Sequence, residues 1–143
     1  MRPGQLIEAL GGKRVFRDPA RTYEAVIKRV RAGLPYAALE AVSARYEVPL
    51  DALARIIALP PRTLARRKKE GRLRADESDR LLRVSRVAAL AEEVLGTREK
   101  AASWLSHSNA ALGEVKPLDR LDNDLGAREV EEVLHRIEYG IYS

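Results

Sequence analysis

Apolar positions along this chain recur every three or four residues and nowhere alternate, so the pattern predicts helices and no strand. Asp18 ahead of Pro19 reads as a capping side chain followed by proline at the first helical position, with Val26, Ile27 and Val30 at helical spacing up to Gly33. Pro35 opens a second segment whose Leu39, Val42 and Tyr46 share one face. Pro49 opens a third, with Leu50, Leu53, Ile56 and Ile57. From about Asp76, the set Leu81, Val84, Val87, Ala88, Ala91, Val94 and Leu95 makes one long amphipathic helix, stopped at Gly96. The stretch TREKAASWLSH follows as a helix capped by Thr97, then the irregular SNAALGEVKPLDRLDND, then a last helix carrying Val130, Val133, Leu134 and Ile137. The expected fold class is all-α.

One pair of predicted helices carries a sharper pattern. In PLDALARIIALPPRTLARRKKEGRLR, Ala54 stands where two crossing helices need a small side chain, Ala58 four residues on at the turn, and Leu59 is the apolar residue just after it. Thr63 and Leu64 follow at the spacing of a second helix. These are the slots of a helix-turn-helix. Two positions depart from the usual pattern: glycine is the common occupant at Ala58, where φ is often positive, and an inward-facing apolar residue is common at Arg67. The second helix is strongly cationic, for seven of the thirteen residues from Arg62 to Arg74 are Lys or Arg. Arg62, Arg66 and Lys69 fall on one outward face, and with Thr63 and Arg67 they form the expected DNA-binding set. Guanidinium groups there can grip phosphates or donate two hydrogen bonds to guanine. A merely solvated basic helix is the bland alternative.

Charge divides the chain at the same place. The net charge of +5 comprises 17 basic against 7 acidic residues over 1–75, and 9 against 14 over 76–143. A basic half suits a polyanion and an acidic half suits a different partner, so two modules are expected, 1–75 and 76–143, meeting near GRLRAD. Cysteine is absent, which removes disulfides, thiolate metal sites and cysteine nucleophiles and fits a reducing cytoplasm. MRPGQLIEALGGKRVFRDP has no apolar run of signal-peptide length, and no segment nears the roughly 18 apolar residues of a membrane span. The two histidines, His107 and His135, have no metal-ligand or nucleophile arrangement around them and read as surface residues. The carboxylates of DRLDND lack the alternating ligand pattern and closing glutamate of a calcium loop. A binder is expected, with no cofactor or metal, and not an enzyme.

The acidic half carries a family signature. ESDRLLRVSRVAALAEEVLG, REKAASWL, NAALGEVKPLDRLDND and GAREVEEVLHRIEYGIYS, in that order, closely resemble antitoxins of the Xre/MbcA/ParS type, in particular the Xre partners of RES-domain toxins. The resemblance runs from about Arg62 to the C-terminus. Its matching positions are Trp104 and Leu105; Asn109, Leu112 and Gly113; Pro117, Leu118, Leu121 and Asp122; and Ile137, Glu138 and Gly140. Ala110 stands where proline is common and Asn123 where threonine is common. The resemblance implies an N-terminal helical domain with the helix-turn-helix followed by a helical toxin-binding domain. It also implies a RES partner that consumes NAD, and a C-terminal end that obstructs that partner's active site. Glu138, Tyr139, Gly140, Ile141, Tyr142 and Ser143 are the expected toxin-binding residues, because Ile141 and Tyr142 follow a helix-stopping glycine where no core obviously receives them. Operator DNA and a second copy of the chain are the other expected partners, with part of the dimer contact before Pro49. A free-standing regulator, whose acidic half binds another protein or a small effector, is the alternative.

Overall fold

A computed structural model describes residues 1–18 and 22–140. Helix α6, Ala75–Leu95, is the axis of the molecule. Helices α1 (Pro3–Ala9) and α2 (Tyr23–Ala32) pack on it, as do α7 (Arg98–Ser106) and α8 (Asp124–Glu138). Its Leu81, Val84, Val87, Ala88 and Ala91 are buried in a single apolar cluster that runs from Ile7 to Leu134. Both halves of the chain therefore share one core. Three further helices complete the N-terminal half: α3 (Tyr36–Arg45), α4 (Leu50–Ile56) and α5 (Pro61–Glu70). No strand forms among the described residues. The fold class expected from the pattern is the one observed, with the helix-turn-helix ahead of the C-terminal helices.

Most predicted boundaries match local chemistry. Pro35 and Pro49 are the residues before the first turns of α3 and α4, Gly96 ends α6 in a left-handed conformation, and the Thr97 hydroxyl accepts from the Lys100 N–H at the start of α7. The start of α2 is different. Thr22, not Asp18, is its cap, accepting from the Ala25 N–H at 3.1 Å, and Pro19 lies outside the described residues. Ile27 is on the exposed side of that helix. Helix α1 was not anticipated, since PGQLIEA is only seven residues and is held by burial of Leu6, Ile7 and Ala9 rather than by its own propensity.

Two turns fix the position of α5. The chain entering α3 pairs with the chain leaving α5, the Tyr36 N–H donating to the Gly71 carbonyl and the Leu73 N–H to the Leu34 carbonyl, at 2.9 and 2.8 Å. Gly33 permits this approach, because a Cβ there would stand 2.3 Å from the Leu73 carbonyl oxygen. At the other end, α4 stops in a double-bonded C-terminal turn: the Leu59 N–H reaches the Ala54 carbonyl at 2.8 Å and the Ala58 N–H reaches that of Arg55 at 3.1 Å. That turn requires the residue between to be left-handed, and Ala58 has φ of 60°. An alanine there pays about 1–2 kcal/mol of steric cost.

Ala58→Gly relieves that strain and adds back about 0.4–1 kcal/mol of unfolded-chain entropy. The variant is expected to be about 0.5–1 kcal/mol more stable, read as a higher urea midpoint at an unchanged slope. A lower midpoint would show that Ala58 is not strained.

Candidate DNA-binding helix and toxin-binding domain

Helix α5 enters through Pro60 and Pro61, which preset its first turn and leave no buried amide unpaired, and it ends at left-handed Gly71. Arg62, Arg66 and Lys69 are exposed on the face where their spacing places them, and Thr63 is half-buried beside them. Lys68, not in the expected set, is exposed as well. Beside this helix a cleft of about 520 Å³ opens between α4 and α5, lined chiefly by Ala54, Ala58, Leu59, Pro60, Pro61 and Leu64.

Arg67 is a correction. It was expected to face DNA, but only 4% of it is accessible, and its guanidinium lies against α6. Its Nε and Nη2 donate to the two carboxylate oxygens of Glu77 at 2.7 and 3.0 Å, and Nη1 reaches Glu70 at 3.0 Å. The position is inward-facing after all, and the chain fills it with a buried ion pair instead of an apolar side chain. The buried carboxylate of Glu77, ten residues on, could have signalled this: a helix N-terminus favours an acid, and here that acid also accepts from the Arg74 N–H at 2.8 Å. Burial pushes the Glu77 carboxyl up, but the hydrogen bonds from Arg67 and from the Arg74 N–H, with the guanidinium charge, outweigh it and hold the carboxyl below its ordinary value. The Glu77 hydrogen bond likewise raises Arg67 above the usual arginine value.

Other arginines also serve the fold. The Arg80 Nε donates to the Ile57 carbonyl at the end of α4 at 2.7 Å, and the Arg83 Nε to the Leu121 carbonyl at 3.2 Å. Arg86 pairs with Glu131 of α8 at 2.8 Å. Three successive turns of α6 thus tie it first to the helix-turn-helix and then to the C-terminal helices.

The C-terminal motif residues build the seat of α8. The Asn109 side chain accepts from the Ala111 N–H at 2.9 Å, Leu112 is buried, and Gly113 turns the chain with φ of 70°. Pro117 starts a short turn whose Leu118 and Leu121 are buried. Asn123 caps α8, accepting from the Gly126 N–H at 2.8 Å, and its own amide donates to Asp122 at 2.8 Å. The pattern had not singled out Gly126, yet a Cβ there would sit 2.0 Å from the Arg120 carbonyl oxygen. A glycine in a helix's first turn, three residues after its cap, was the available clue. Trp104 is half-buried against the core. His107 and His135 are exposed, and no group of three potential metal ligands occurs among the described residues.

Of the expected toxin contacts, Glu138 closes α8, Tyr139 is 74% exposed and Gly140 turns left-handed with φ of 73°. Ile141, Tyr142 and Ser143 lie outside the described residues. Among the described residues no helix is long and apolar enough to cross a membrane.

A helix pair with a cationic second helix, continued through α6 into an acidic helical half that shares its core, defines a helix-turn-helix protein with an appended helical module. Two family models match it, "Antitoxin Xre-like helix-turn-helix domain" over residues 25–86 and "Antitoxin Xre/MbcA/ParS C-terminal toxin-binding domain" over residues 90–140. Both models describe domains of antitoxins of the Xre and Xre/MbcA/ParS types, and they match this chain in that order. It is similar to three proteins each named Antitoxin Xre. The one from Yersinia enterocolitica is 28% identical over 127 residues, covering 87% of this chain and 86% of the relative. The one from Photorhabdus laumondii is 38% identical over 64% of this chain and 63% of the relative. The one from Pseudomonas putida is 39% identical over 57% and 52%.

The depressed carboxyl of Glu77 has a definite pH consequence. A group whose folded value lies below its unfolded one, about 4.3 for glutamate, contributes stability above that pH and loses it as pH falls through the folded value. Wild type is therefore expected to lose stability from about pH 5 downward, and the gap between it and Glu77→Gln to narrow over the same range. Urea melts at stepwise pH measure that gap; a constant gap would contradict the assignment.

Proposed function

We propose that this chain is the antitoxin of a type II toxin–antitoxin pair, neutralising a RES-domain, NAD-consuming toxin with its C-terminal end and repressing its own operon through α5. The observation that carries the reading is the exposed Arg62, Arg66 and Lys69 face on a helix anchored to α6, whose other end seats an acidic domain of the toxin-binding type. The division of labour falls near residue 75, although the core is common to both halves. In the major groove, the cationic face meets phosphates and guanine edges. Two half-sites about 34 Å apart call for a homodimer. The exposed Met1, Tyr23 and Ile27, all before Pro49, supply apolar area for that contact. Such a pair acts in the cytoplasm, and no step of it needs a cofactor or catalysis by this chain.

At the toxin end, Gly140 lets Ile141, Tyr142 and Ser143 depart from the direction of α8 and enter a nucleotide-sized pocket. An isoleucine and a tyrosine suit a site that otherwise holds a base.

Two variants separate the activities. Arg62→Ala or Arg66→Ala is expected to weaken a mobility shift on the chain's own promoter by about 1–3 kcal/mol while leaving toxin neutralisation intact. Deleting residues 141–143 is expected to do the reverse, restoring NAD consumption by the toxin in the complex with operator binding unchanged. Wild-type shifts in both arginine variants would remove α5 as the reader, and full silencing by the truncated chain would place inhibition in the body of the domain.

A further inference from the structure

We infer that the toxin is gripped by the outward face of α8, centred on Leu125, Glu132 and Tyr139, and that this grip is separate from the tail that obstructs its active site. The inference rests on the toxin-binding reading above and specifies which surface does the binding. Among the described residues, the large apolar side chains left exposed fall in two places: Met1, Tyr23 and Ile27 at one end of the chain, and Leu125 and Tyr139, at 77% and 74% exposure, in the first turn of α8 and at its C-terminal cap. The latter two are the most exposed of the five, and both lie within the stretch that matches the toxin-binding domain.

Their spacing puts them together on one side. With about 100° between successive helical residues, steps of seven return to almost the same direction, so Leu125, Glu132 and Tyr139 line up along α8 over about 21 Å. Arg128 and Arg136 flank the line, and both are exposed. The opposite side of the helix carries Ala127, Val130, Val133 and Leu134, all buried, which fixes the orientation. The seat described above, with Asn123 capping and Gly126 against the Arg120 carbonyl, holds Leu125 in the first turn of the helix, where the chain could as readily have placed a polar residue.

The face has the composition of a partner-binding surface: two apolar anchors at its ends with charges between them. Glu132 and Arg136 have no ion-pair partner among the described residues, whereas Arg128 is held by Asp124 at 3.1 Å. Glu132 and Arg136 are thus available to pair across an interface. The partner surface that fits carries two apolar pockets about 21 Å apart with an arginine or lysine facing Glu132 and a carboxylate facing Arg136.

The test is calorimetric titration of the purified full-length antitoxin against a catalytically inactive form of the RES-domain protein encoded beside it. Leu125→Asp is expected to raise Kd at least tenfold, and Leu125→Asp with Tyr139→Ala at least a hundredfold. The antitoxin lacking residues 141–143 is expected to stay within about threefold of wild type. Both substituted side chains are exposed, so unchanged melting temperature and operator binding confirm that the variants fold. Wild-type Kd in the double variant overturns the α8 face, and a truncated chain that loses binding as strongly as the double variant overturns the separation of grip from tail. No binding by the wild-type chain would instead remove the toxin reading itself.

Discussion

The buried pair between Arg67 and Glu77 sets where the cationic helix stands. Its two hydrogen bonds are directional, and both oxygens of the carboxylate are used by one guanidinium, so sliding or rotating α5 on α6 leaves two desolvated charges without partners. Breaking such a pair costs about 3–5 kcal/mol, although the intact pair adds little over a well-packed apolar one. Its contribution is one of register. With Arg67 turned inward, geometry sends Arg62, Arg66 and Lys69 outward, and the junction of Gly33 with Leu73 and the strained turn at Ala58 hold the two ends of the same helix.

From that anchor the rest of the molecule follows along α6. Glu77 and Arg80, near its start, reach the helix-turn-helix; Arg83 and Arg86, one and two turns on, reach Leu121 and Glu131 of the C-terminal unit. A helix of 21 residues whose apolar face is buried from Leu81 to Ala91 is stiff, and it fixes the distance between the proposed surface for DNA and the proposed surface for protein without a linker. Opposite charge on the two halves suits the two proposed partners to different surfaces.

Much of this was legible in the chain, for identifiable reasons. The prolines at 35 and 49, the glycines at 71 and 96 and the threonine at 97 act locally, and each marks the boundary its chemistry predicts. The crossing residues Ala54, Ala58 and Leu59 were recognisable because helix crossing imposes a size at each. What escaped was non-local. Arg67 reads as one more cation in a basic run until Glu77 is seen beneath it, and Gly126 reads as a weak spot in a helix until the Arg120 carbonyl is seen against it. Helix α1 is too short to announce itself, and Thr22 displaced Asp18 as a cap because a threonine three residues before Ala25 offered the bond directly. The outward face of α8 was present in the spacing of Leu125 and Tyr139, but a pattern search weighted toward inward residues passes over it.

A double-mutant cycle at Arg67 and Glu77, read both as stability and as affinity for the chain's own promoter, tests the central claim most directly. Arg67→Met or Glu77→Leu alone should lower the stability by about 3–5 kcal/mol, and the two together should recover most of it with promoter affinity within about twofold of wild type. If instead Arg67→Met leaves stability untouched, or the stable double variant loses promoter binding as Arg66→Ala does, Arg67 belongs to the DNA-reading face and the register of α5 rests on something else.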